Sequence, residues 1–279
     1  MAEWTRNISW RQGHVLSIDA MKTLGIAHLD PQVTPVAVVI THDCDLAEAS
    51  GHENYLEIIV GKVVDHVNGN YTNAKNVRCL QIEYRSGDTT VAVELKATAK
   101  VLLEKKALAN FEPRADMKLD TSGHSNLQTW LAARYRRAAF PEEFENRLKT
   151  AKLHQNIEKT MQRTGKNIVA IFFDVDQGVE RHRKGPEDVY ELGVYLLYDT
   201  SQNESEAHTS AEKAANEITA AFEKAFQDEK SKTWKQINLI YCEPMSDQAM
   251  TYAQSRLFKQ WRLEYMSLKD TPAQPMIDH

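Results

Sequence analysis

The chain has 279 residues, of which 42% are hydrophobic and 26% charged, and its formal net charge is −5. Those proportions describe an ordinary globular protein of one large or two ordinary domains, and they exclude a global basic field, so a nucleic-acid role needs a local patch. No run approaches the roughly 18 apolar residues of a membrane span, and Met1 to Arg6 lacks the apolar core of a signal peptide, so the expectation is a cytoplasmic protein with no membrane partner.

The first hundred or so residues read as mainly strand. Gly13 to Ile18 can open one. Val36-Ala37-Val38-Val39-Ile40 is the clearest, an apolar run of the kind that buries both faces. Tyr55 to Val60 is another, ended by Gly61, with Val63 to Val67 as a continuation and Asn68-Gly69-Asn70 as a turn. Cys79 to Tyr84 and Thr90 to Leu95 alternate around Ser86-Gly87-Asp88 and predict a hairpin. Lys100 to Lys106 reads as an exposed edge or helix face. Short strands with Gly and Asn turns suggest a small barrel or a strongly bent sheet.

The middle is helical. Ser125 can cap a helix through Leu127, Trp130, Leu131 and Tyr135. Pro141 begins a second one, whose stripe of Phe144, Leu148, Leu153 and Ile157 runs toward Met161, with Thr164-Gly165-Lys166 ending it. Ile168 to Phe173 is a buried strand and Tyr190 to Tyr198 a second. Glu204 to Lys230 is a long amphipathic helix, Ile237 to Cys242 a third strand, Ala249 to Lys259 a short helix, and Trp261 to Met266 a final strand or extended edge. The fold class is therefore α+β: a β-rich, barrel-like domain over 1–115, a helical connector over 116–165, an α/β domain over 166–269 and a loose tail over 270–279.

Chemistry-bearing residues gather in three places. The first is Thr41-His42-Asp43-Cys44-Asp45, directly after the best strand, where side chains are held at a sheet rim. Cys44 can act as a nucleophile beside His42, with Asp45 for acid–base work. With His14, His52 or Cys79 the same groups can bind zinc, although no Cys-x-x-Cys pair is present. The structural reading has Cys44 buried and Asp45 capping a turn or helix that begins at Leu46. The three cysteines, Cys44, Cys79 and Cys242, are widely spaced and odd in number, which fits reduced thiols.

The second place is Asp174-Val175-Asp176, after the Ile168 strand. Strand followed by Asp-x-Asp resembles the way haloacid-dehalogenase-type phosphatases present carboxylates to magnesium, here with Gln177-Gly178 where Gly-Thr is usual. Glu180 or Glu191 can complete the set, or the two acids flank a turn. The third is Trp130, Arg134, Arg136 and Arg137 around Tyr135, a basic aromatic patch able to hold phosphates and stack a base. Alternatively, Trp130 and Tyr135 are core anchors and the arginines pair with Glu142, Glu143 or Glu145. Arg181 to Lys184 reads as a solvated, positively charged loop.

Trp10-Arg11-Gln12-Gly13 followed by the strand and Thr41-His42-Asp43-Cys44-Asp45-Leu46 resembles a group of uncharacterised bacterial proteins. Theirs is a Gly-Asp followed by a strand ending in Ser/Thr-x-x-Cys-Asp-Leu/Ile, and His14 stands here in place of the Asp. Leu127 to Arg137, then Phe140-Pro141, resembles that group's second signature. The resemblance implies an intracellular bacterial protein of the kind encoded among phage-defence or mobile-element genes, with a partner protein encoded nearby, and it brings no activity with it. The start of the chain is also similar to the small barrel of PemK-type toxins, with Gln32-Val33-Thr34-Pro35 where those carry an arginine.

Three functions are open at this point. One is a nucleic-acid-directed effector using His42, Cys44 and Asp45, with Trp130, Arg134, Arg136 and Arg137 on the strand. The second is a non-enzymatic sensor or adaptor that binds a partner protein. The third is a magnesium-dependent phosphohydrolase built on Asp174 and Asp176. Magnesium and zinc are the ions these donor sets suit.

Overall fold

The computed structural model describes residues 3–133, 135, 140–179, 181, 183, 185 and 187–262. They divide into two compact units, one of residues 3–67 and 77–132, the other of 68–76 and 133–262. Phe144, Leu148, Leu153, Ile157 and Met161 of the expected connector lie in the core of the second unit.

In the first unit Ser17 caps α1 (Ile18–Thr23) by accepting the amide of Ala20 at 3.1 Å. Next come β1 (Pro35–Val39), the four-residue α2 (Asp43–Leu46), β2 (Tyr55–Val64), β3 (Cys79–Ser86), β4 (Thr89–Lys96), β5 (Lys100–Glu104), α3 (Lys105–Leu108) and α4 (Thr121–Ala133). The expected hairpin is β3–β4, paired from Cys79 with Lys96 to Ser86 with Thr89. α4 starts before Ser125, since the Asp120 carboxylate accepts the amide of Gly123 at 2.7 Å and so caps it.

All pairings of this sheet are antiparallel, in the order β1-β2-β4-β3, with β5 also on β2. No closed barrel forms among the described strands, because β2 is shared out along its length. Its first half pairs with β5, its last residues with β4, and Ile58 to Lys62 with β1. Gly61 does not end the strand as the sequence suggested. It lies where a Cβ would stand 2.2 Å from the Glu94 carbonyl oxygen, so the absence of a side chain lets β2 and β4 approach. Gly61→Ala is expected to force these strands apart and destabilise the unit by about 1–3 kcal/mol, read by denaturant unfolding. The core below the sheet is Trp10, Leu16, Val39, Leu46, Leu56, Ile58 and Leu108.

The second unit contains α5 (Glu142–Thr150), α6 (Leu153–Thr164), β6 (Ile168–Val175), β7 (Tyr190–Tyr198), α7 (Glu204–Phe226), β8 (Ile237–Ser246), α8 (Tyr252–Leu257) and β9 (Lys259–Trp261). The rest of the final strand expected over Trp261 to Met266 lies outside the described residues, as does the 270–279 tail. One apolar stripe serves two helices, because Lys152 takes a left-handed φ of 56° between α5 and α6. Phe144, Leu148, Leu153, Ile157 and Met161 of these helices join Ile218 and Phe222 of α7 on the sheet residues Ile171, Phe173, Leu192 and Val194. The sheet runs β8-β7-β6-β9, parallel only between β7 and β8.

Residues 68–76 lie in the second unit although they connect β2 to β3. Their anchor is Lys75, only 1% exposed. Its Nζ donates to Thr72 Oγ1 at 3.0 Å and to the carbonyls of Gly165 and Ile168 at 2.7 and 2.5 Å. Three protons thus meet three neutral acceptors, and burial lowers the Lys75 pKa to about 7.

Candidate functional site

The end of β1 is fastened residue by residue. The Ile40 carbonyl accepts Gln12 Nε2 at 2.7 Å, and Thr41 Oγ1 accepts the amide of Glu57 at 2.6 Å. His42 then caps α2, its Nδ1 accepting the amide of Cys44 at 3.3 Å. A helix of four residues has little stability of its own, so its position comes from tertiary ties. Leu46 is buried in the core. Trp4 Nε1 donates to the Leu46 carbonyl at 2.8 Å, and the buried Lys105 ammonium donates to the carbonyls of Asp45 and Glu48 at 2.5 and 3.0 Å. The result is a short turn of helix, tied at both ends, that leaves His42, Cys44 and Asp45 exposed.

Two expectations change here. Cys44 is exposed and not a buried apolar residue. Asp45 does not cap the helix; His42 does. The carboxylate bound to backbone is that of Asp43, which accepts the amide of Gln12 at 2.7 Å.

That bond leads to a second wall of the site, the turn Arg11 to His14. Gly13 has φ +85°, a left-handed conformation that glycine adopts without strain. The turn is laid along β1 by Gly13 N to the Val39 carbonyl at 2.8 Å and Val39 N to the His14 carbonyl at 2.9 Å. The expected strand over Gly13 to Ile18 is thereby reduced to one bridge, Val15 with Val38, before Ser17 turns the chain into α1. The buried Tyr84 hydroxyl donates to the Gly13 carbonyl at 3.0 Å. Gln12, 6% exposed, is the hub: besides Asp43 and Ile40 it accepts Gln128 Nε2 of α4 at 3.0 Å.

α4 also brings His124, whose Cδ2 lies 3.6 Å from the position a Cβ of Gly13 would take. His124 and Gln128 are four residues apart and share a helix face. His14 is half-buried in this corner, edge-on to Trp10 with centroids 6.5 Å apart. Burial lowers its pKa, helped by the charges of Arg11 and His124 and opposed by Asp43. Tyr84 and His124 carry no motif in sequence, and Gln12 and Gln128 stand inside the two stretches of the resemblance with no role attached to them. Only the i, i+4 spacing of His124 and Gln128 hints at a shared face.

Trp130 is 1% exposed, so it is a core anchor and cannot stack a base. Tyr135 is exposed and is not an anchor. Arg134, Arg136 and Arg137 lie outside the described residues, as does Glu180. Asp174 closes β6; burial raises its pKa, and the Tyr241 hydroxyl donates to it at 3.3 Å. Asp176 has φ 52° in the turn that follows, is almost fully buried and is ion-paired with Arg183. Its other oxygen accepts the amide of Glu191 at 3.0 Å. Arg183 is therefore not solvated but sits 3.9 Å over the Tyr190 ring.

Among the described residues, no group of three or more His, Cys, Asp or Glu side chains is arranged to hold a metal ion. The zinc set of His42 and Cys44 with His14, His52 or Cys79, and the magnesium set of Asp174 and Asp176 with Glu191, do not come together there. No described helix is long and apolar enough to cross a membrane. No protein-family model and no curated protein sequence matches the chain.

Proposed function

We propose that the protein is a bacterial, intracellular effector of a defence or toxin system that acts on nucleic acid through the rim of the first sheet. The observation that carries this reading is the exposure of His42, Cys44 and Asp45 together on a helical turn whose backbone is tied down on both sides. Reactive groups that do no work in the core, on a backbone held rigid from outside, are what positioned chemistry requires. Cys44 supplies a nucleophilic thiol and Asp45 supplies proton transfer, while His42, whose Nδ1 accepts the amide of Cys44, sets the turn and offers its other ring nitrogen to the substrate. The likeness of Thr41 to Leu46 to bacterial defence-associated proteins supports the same setting.

The test is incubation of the purified protein with end-labelled single- and double-stranded RNA and DNA, with and without magnesium. At least one strand class is expected to be cut. Cys44→Ala and Asp45→Ala are expected to slow cutting by about 10²–10⁴-fold. Both side chains are exposed, so thermal stability should stay within about 0.5 kcal/mol of the parent. Intact strands throughout, with a co-purifying protein partner, would favour the adaptor reading instead.

A further inference from the structure

The turn Arg11 to His14 is held more firmly than a loop beside a site requires, and one polar atom in it is left over. His14 Nδ1 accepts the amide of Arg11 at 3.1 Å. An imidazole nitrogen that accepts carries no proton, so in the neutral ring the proton is on Nε2. Among the described residues no protein group takes that proton. The ring is also fixed in place: Trp10 stands edge-on to it, and the backbone on either side is pinned to β1, to Tyr84 and, through Gln12, to Ile40, Asp43 and Gln128.

We propose that His14 Nε2–H is a fixed hydrogen-bond donor for an anionic oxygen of the substrate, in chemical class a phosphodiester oxygen. The proposal rests on the nucleic-acid reading of the neighbouring His42, Cys44 and Asp45. His14 does not carry protons in this scheme. Its one acceptor nitrogen is occupied by backbone, so it cannot take a proton from a nucleophile without losing that bond.

The surroundings suit a donor that stays neutral. Arg11 and His124 disfavour a further positive charge on the ring, and among the described residues Asp43 opposes them. Arg11 is held close by its own bonds to the carbonyls of Ile8 and Trp10, at 2.6 and 2.7 Å. A neutral imidazole kept uncharged at working pH polarises an oxygen without being titrated away. A preorganised donor aimed at developing negative charge is worth about a hundredfold in rate when removed. Gln12 acts through His14 as a positioning residue, since its three bonds set where the turn lies.

The experiment combines two readouts on the full chain. In the first, ¹⁵N-histidine spectra are recorded while inorganic phosphate, and then a short oligonucleotide of the strand class that is cut, is added. The His14 signals are expected to show a protonated Nε2 and an unprotonated Nδ1 at pH 7, and Nε2 is expected to shift on addition of either probe. In the second, cutting by His14→Ala and His14→Gln is measured against pH. His14→Ala is expected to lose about a hundredfold, and His14→Gln, whose amide can replace the Nε2–H donor, to recover a large part of it with an unchanged pH profile.

If Gln is as poor as Ala and a limb of the pH profile disappears, His14 carries a proton and the proposal is wrong. Strands that are cut at full rate by His14→Ala, with no shift of Nε2, overturn the proposal and leave the nucleic-acid reading standing. A shift with inorganic phosphate, together with strands that are neither bound nor cut, supports the anion subsite and overturns the nucleic-acid reading.

Discussion

Raising the pH from 7 to 10.5 is expected to stabilise the second unit, and Lys75→Met is expected to abolish that gain. Lys75 is enclosed with no carboxylate against it among the described residues, and burial holds its pKa at about 7 against the ordinary 10.5. Below pH 7 both folded and unfolded states carry the proton, so stability does not depend on this group. Between pH 7 and 10.5 the unfolded chain binds a proton that the folded one lacks, so stability rises with pH by about 1.4 kcal/mol per pH unit. The full window from about 7 to 10.5 corresponds to on the order of 5 kcal/mol. Above it Lys75 adds nothing further, and the buried Cys242 thiol, pushed up to about 12 from 9, works in the opposite sense in both proteins from about pH 9 upward, so it cancels in their difference. In the methionine variant the carbonyls of Gly165 and Ile168 lose the Nζ donor and keep the Ile168 amide and Asn73 Nδ2, an offset that does not vary with pH. Urea unfolding at intervals of half a pH unit therefore separates the two effects by slope. Parallel curves for the two proteins would show that Lys75 keeps an ordinary pKa.

Asp176→Asn is the second large effect, and it separates two accounts of the same residue. A magnesium-dependent phosphohydrolase would lose turnover and keep its stability. With Asp176 and Arg183 side chains 3% and 8% exposed and ion-paired, the substitution leaves a buried guanidinium short of its counter-charge. The expected cost is on the order of 3 kcal/mol. Arg183 keeps its second partner, Asp188 Oδ1 at 3.1 Å, which keeps the loss from being larger. Thermal or denaturant unfolding of the variant reads this directly. An Asp176→Asn protein of parental stability would show that the pair contributes nothing.

Elements whose burial repeats along the chain were readable in advance. β7 runs Tyr190–Tyr198 as expected, since its mostly apolar run, broken only by Glu191, is largely buried on both faces. α7 runs Glu204–Phe226, within the expected span, because Asn203 and its i, i+3, i+4 stripe mark it. What escaped was set by atoms distant in sequence. Gly61 reads as a terminator until Glu94 is seen to need its space. The Phe144 to Met161 stripe reads as one helix because a single left-handed residue, Lys152, leaves the apolar spacing almost intact. The barrel reading failed because alternation predicts strands and says nothing about which edges close.

The candidate site was half readable. A strand ending in His42-Asp43-Cys44-Asp45 marked the place, and the turn that carries His14 is bonded to it from Gln12 to Asp43. The roles were not readable, because His42 rather than Asp45 caps α2, and because Gln12 reaches Gln128 across 116 residues of chain. Lys75 gave no signal at all, since its three acceptors include backbone carbonyls some ninety residues away.

The central claim is that the rim of the first sheet meets nucleic acid. Photo-cross-linking of 4-thiouridine- or 4-thiothymidine-substituted strands to the full chain, followed by peptide mass spectrometry, tests it most directly. The account predicts adducts within the peptides spanning residues 10–14 and 41–46, lost when unsubstituted strand is added in excess. Adducts confined to other parts of the chain, or none at a strand concentration that saturates cutting, would contradict it.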